Sequence, residues 1–142
     1  MDEIVKPSEL RQAAEAKEMA LARDMLEADK RRADEHRLLQ EAFMNRQIEK
    51  DGKERLRKAL LAAAERGTNH LQVFTFPSEL CTDGGRAINN ADPNWPETLV
   101  GYAARAYEFY KQELQPHGYK LRAEILNYPG GVPGDVGITL AW

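Results

Sequence analysis

Cys81-Thr-Asp-Gly-Gly-Arg86 gathers more reactive chemistry than any other stretch of the chain. A cysteine becomes a nucleophile when a base removes its proton and a third group orients that base. His70 or His117 would be the base and Asp83 the orienting carboxylate. Arg86 would supply the positive setting that favours a thiolate. No Cys-x-x-Cys or other signature fixes that arrangement, and free cysteines commonly serve as small buried apolar side chains. Gly84, Gly85 and Arg86 also read as an anion cradle, because consecutive backbone N–H groups in a glycine turn can converge on one ligand. They match neither the dinucleotide-binding glycine pattern nor a P-loop. The plainer reading is a turn that needs positive φ, in a segment that covers a sheet. Trp95, between Pro93 and Pro96, is either an anchor for a ligand or partner peptide or a cap on the core.

Other chemistry is sparse. His36, His70 and His117 lie in separate segments without ligand spacing, and one cysteine cannot build a metal cage. Neither a metal nor a cofactor is expected. Pro129-Gly-Gly-Val-Pro-Gly-Asp135 resembles a phosphate loop only in its glycine count; no Lys-Ser/Thr follows it, and a hairpin connection is the better account.

The elements that must position these residues differ between the two halves of the chain. Residues 1–66 carry 15 basic and 15 acidic side chains with one aromatic, Phe43. Their Ala, Glu, Lys, Arg, Leu and Met lose little side-chain entropy in a helix. Residues 67–142 carry the other 5 basic and 8 acidic residues, ten aromatics, nine glycines and six prolines. Turn formers there separate β-branched and aromatic runs, the composition of a compact module. The expected organisation is a helical arm over 1–66 followed by an α+β module over 67–142.

In the arm, Pro7-Ser8-Glu9 opens a helix over about 8–50, with Ser8 as its cap. Leu10, Ala14, Leu21, Met25 and Ala28 form one apolar stripe, and Leu39, Ala42, Phe43 and Ile48 a second. Glu27 to Arg37 holds no large apolar residue, so the pattern is not a sustained heptad. Asp51-Gly-Lys-Glu54 has the shape of a capping box and starts a second helix over 53–66, which Gly67 ends. The basic residues Lys53, Arg55, Arg57 and Lys58 read as a solvated face, and nucleic acid is not an expected partner of a neutral arm on an acidic module.

In the module, residues 70–76 read as a strand ended by Pro77. Pro96 starts a helix whose face carries Leu99, Ala103, Ala106, Tyr107, Tyr110 and Leu114, stopped by Pro116 and Gly118. Leu121, Ala123 and Ile125 alternate with charged residues, and Val136, Ile138, Leu140 and Trp142 resume the same period. These last two strands form an antiparallel hairpin, giving a two-layer strand–helix–strand–strand module. The connection over 77–95 is too long for a bare loop and too apolar for a solvated one, since Leu80, Cys81, Ile88 and Trp95 lie in it. It should pack on the module and present a binding surface.

The net charge of −3, the single cysteine and the lack of a long apolar run or basic leader point to a cytoplasmic protein without a membrane partner. The leading functional expectation is a non-enzymatic interaction or assembly module. Its N-terminal helices would associate with a protein partner or a second copy, and its 77–95 loop would face a partner. A small thiol- or ligand-dependent enzyme built on Cys81 is the alternative, and weak nucleic-acid binding a third.

Overall fold

The computed structural model describes residues 4–142. The chain is α+β and divides into two compact units, Met1–Glu41 and Ala42–Trp142. The second unit therefore begins 25 residues before the change of composition at Gly67, and it contains the second helix.

Helix α1 spans Pro7–Asn45. Proline takes its first position, where a missing N–H is harmless. Lys6 is thus left as the flanking residue, and the Glu9 carboxylate accepts its backbone N–H at 3.2 Å. Ser8, the expected cap, lies inside the helix instead. At 39 residues and 1.5 Å per residue, α1 is roughly 58 Å long. It stops at Asn45 rather than near residue 50, and the cause is tertiary. The Arg105 guanidinium donates to the carbonyls of Met44 (2.8 Å) and Arg46 (3.2 Å) at the helix end, where unpaired carbonyls favour a cation. Helix α2 spans Gly52–Glu65, as the capping-box reading requires, although the Asp51 side chain makes no capping hydrogen bond. Beyond its first residue, Gly52, its least exposed positions are Leu56, Leu60 and Ala63.

Three strands, β1 (His70–Pro77), β2 (Lys120–Ile125) and β3 (Asp135–Ala141), form one antiparallel sheet in the order β1-β3-β2. The hairpin of β2 and β3 matches the alternation in the sequence. Register stacks the inward side chains in three rows: Leu71–Leu140–Leu121, Phe74–Ile138–Ala123 and Phe76–Val136–Ile125. Val136, Ile138 and Leu140 are the largest fully buried side chains, because β3 is flanked on both sides. A bulge between Gln72 and Phe74 inserts Val73 as an extra residue. It resets the pleat, so Phe74 and Phe76 face the core along with Leu71.

The inward face is covered by helix α4, Gly101–Phe109, and its continuation. The helix does not begin at Pro96. Trp95–Thr98 is a single tight turn, closed by the Thr98 hydroxyl donating to the Trp95 carbonyl at 2.8 Å, and Leu99 and Val100 are then extended. That detour sends Leu99 into the core before the helix starts. Beyond Phe109 the helix widens into a π-type turn over Tyr110–Leu114 and tightens over Gln115–His117 before Gly118. The buried Tyr110 donates its hydroxyl to the Tyr119 carbonyl at 2.8 Å, fixing the exit toward β2. At the other end, Phe43 stacks on Phe76 with ring centroids 5.4 Å apart, and Tyr102 meets Phe74 edge-on at 5.2 Å.

Candidate functional site

The connection over 77–95 is packed and ordered by its own turns. Ser78 is buried; its backbone N–H donates to Gly134 O (2.8 Å) and its hydroxyl to Pro133 O (2.9 Å), joining the loop to the β2–β3 connection. Tyr128 adds a second link by donating to Asn89 Oδ1 at 2.7 Å. A short helix, α3, runs from Arg86 to Asn89, and Cys81 and Ile88 are buried under the loop.

The residues that suggested thiol chemistry are placed as follows. Burial pushes the Cys81 thiol above its ordinary pKa; the Asp83 charge adds to that, and a hydrogen bond with Thr98 opposes it. A thiol held protonated is the reverse of what a cysteine nucleophile needs. His70 opens β1 opposite Ala141, and His117 lies just before Lys120, which also pairs with Ala141. Cys81 follows the far end of β1, whose seven steps at about 3.3 Å each put roughly 23 Å of sheet between Pro77 and this end. The groups that act on Cys81 are Thr98 and Asp83, and His70 pairs with Asn69 instead.

Asp83 has a different task. Its carboxylate accepts the backbone N–H groups of Gly85 (2.9 Å) and Ala87 (2.8 Å), so the glycine turn cradles an internal anion. Gly84 and Gly85 have φ of +70° and +87°, the conformation that glycine adopts without strain. A Cβ on Gly85 would stand 2.8 Å from the Ser78 Cβ. Arg86 is exposed at the start of α3. Trp95 packs against the core and meets Tyr107 edge-on at 6.0 Å. Among the described residues, no three His, Cys, Asp or Glu side chains converge to hold a metal ion.

A mainly apolar opening lies elsewhere in the second unit. A half-enclosed cavity of about 380 Å³ is bounded by α2, α4 with its continuation, the sheet, and the connection between α1 and α2. Leu71, Leu140, Ile138 and Leu121 form its floor; Ala103, Ala106 and Tyr110 line one wall, and Leu56 and Ala59 the opposite one. Both irregularities of the fold border it: the bulge brings Val73 and Phe74 to the rim, and the widened turn contributes Tyr110 and Leu114. Bulges and π-type turns both recur beside functional sites. Lys53 in α2 and Glu113 in the widened turn pair at 2.8 Å and tie these two walls together. The Lys53 hydrogen bond and charge hold the Glu113 carboxyl below the ordinary glutamate range.

Arg46, Glu49 and Arg55 reach the cavity rim. Arg55 pairs with Glu49 and, at 3.4 Å, with Asp51. Arg46 instead lies over the Tyr102 ring, 4.1 Å from its centroid, and no carboxylate of the described residues is within ion-pair distance of it. Little in the residue pattern marks this site. Its space comes from small residues, Ala59, Ala103 and Ala106, which read in sequence as ordinary helix formers. Arg46 was hidden inside the expected run of the first helix. No family model matches this chain, and comparison with curated proteins and with solved structures returns no match.

Proposed function

We propose that this chain is a non-enzymatic assembly module, cytoplasmic in location, whose helix α1 pairs with another helix in a second copy or a protein partner. One observation carries the reading: among the described residues of α1 none is buried, and apart from the half-buried Phe43 its large apolar side chains remain open to solvent, from Met44 at 43% exposed to Leu39 at 72%. A helix of this length gains most of its stability from burying a face. Leu10, Met25, Leu26 and Leu38 are likewise exposed, and pairing would remove them from water. The second unit would present the 77–95 loop, whose outer residues Thr82, Asp83, Arg86 and Asn90 are exposed while its inner ones are anchored.

The test is sedimentation equilibrium over a wide concentration range, with helicity followed in parallel. Association should strengthen helicity, and Leu21→Glu with Met25→Glu should weaken it. A chain that stays monomeric in the presence of cell extract, with α1 amides exchanging as fast as free peptide, would overturn the reading.

A further inference from the structure

We propose that the cavity between α2 and α4 binds an apolar molecule carrying one carboxylate, of the medium-chain fatty acid class, with its chain along α4 and its carboxylate at Arg46. This inference is independent of the assembly reading, because every wall belongs to the second unit.

The length of the lining suits a chain. The wall formed by α4 and its continuation runs from Tyr102 to Leu114, roughly 18 Å at helical rise. A space of about 380 Å³ drawn out along that wall accommodates an extended hydrocarbon chain. The volume also falls within the usual size of small-molecule pockets, about 300–1,000 Å³. Small residues line both walls, Ala59 on α2 and Ala103 and Ala106 on α4, and they leave the space open.

Charge argues for a monoanion. Of the rim groups, Glu49 and Arg55 neutralise one another, and Arg55 also engages Asp51. Lys53 and Glu113 do the same where α2 meets the widened turn. Arg46 is the rim cation left without a carboxylate among the described residues, and Tyr102 holds its guanidinium in place. A guanidinium presents paired donors that suit a carboxylate. Its backbone is fixed independently, because Arg105 bonds the Arg46 carbonyl. An apolar slot with one unneutralised cation at its mouth selects a ligand of matching polarity.

The experiment is calorimetric titration of the full chain with decanoate and, separately, with decanol. Decanoate should bind, and decanol at least tenfold more weakly. Ala106→Phe should abolish decanoate binding without lowering Tm; Ala59→Leu fills the same space from α2 and reads the cavity if the phenylalanine variant does not fold. Arg46→Met should weaken decanoate about tenfold and leave decanol unchanged. Absence of decanoate binding, or binding indifferent to the filling of the cavity, overturns the site. Equal affinity for acid and alcohol, or no effect of Arg46→Met, overturns the carboxylate assignment.

Discussion

Replacing Gly101 by alanine probes how the end of α1 is held against the start of α4. Gly101 has φ of +57°, and an alanine in that region costs about 1–2 kcal/mol. A Cβ there would also stand 2.8 Å from Met44 Cα and 2.9 Å from Phe43 O, both backbone atoms that cannot rotate away. Relieving that overlap by backbone shift costs a further 1–3 kcal/mol or so, as overpacking does. The separation of α1 from α4 would also disturb the Arg105–Met44 hydrogen bond and the Phe43–Phe76 stack. The total is about 3 kcal/mol, which for a unit of this size lowers Tm by on the order of 15 °C. Gly84→Ala is the control, because Gly84 has φ of +70° with nothing within 4 Å of an added Cβ. It should show the conformational cost alone, about 1–2 kcal/mol. Chemical denaturation monitored by tryptophan fluorescence reads both. Equal losses for the two variants would refute the close approach of Gly101 to α1.

Asp83→Ala removes the acceptor of two backbone N–H groups and should cost about 1 kcal/mol, with faster amide exchange at Gly85 and Ala87 as the local sign. Because burial raises the Cys81 thiol pKa, an unfolded chain releases this proton at lower pH than the folded one, so the thiol's contribution to stability declines as pH rises past the ordinary thiol range. Alkylation at neutral pH should accordingly be slow and should track unfolding; a fast reaction in the native state would contradict the burial. For Glu113 the sign is opposite. Its carboxyl is held low by Lys53, so the pair contributes above the ordinary glutamate range and is lost as pH falls through the lowered value. Lys53→Met should move the Glu113 titration upward, as followed by carboxyl NMR.

Much of the second unit was legible in the sequence because local pattern and tertiary role agree there. Leu121, Ala123 and Ile125 alternate in the sequence and face inward in the sheet, and Cys81, Ile88 and Trp95 correctly marked 77–95 as packed. What escaped the sequence depends on partners distant along the chain. Asn45 ends α1 because Arg105 lies sixty residues away at its carbonyls. Phe74 faces the core only because one extra residue shifts the pleat, so strict alternation assigns it to the wrong face. Pro96 is a sound helix-start signal, overridden by the burial of Leu99 and the Thr98 hydrogen bond to Trp95. Residue type alone offers His70 and His117 as a base for Cys81, and the sequence does not show that the whole of β1 runs between His70 and the turn that leads to Cys81. The cavity is harder still to read, since empty space leaves no residue to mark it.

The order β1-β3-β2 has a consequence for how the molecule comes into being. The strand that both of its neighbours require is the one synthesised after them, so neither ladder can close while β3 is still within the ribosome. Until then β1 and β2 are bare edges, held only by whatever the nascent helices provide. Closure joins His70 to Ala141 across most of the unit, a long-range event that sets a slow pace. Loss of β3 would abolish the sheet outright, whereas loss of β2 would still leave a β1–β3 ribbon.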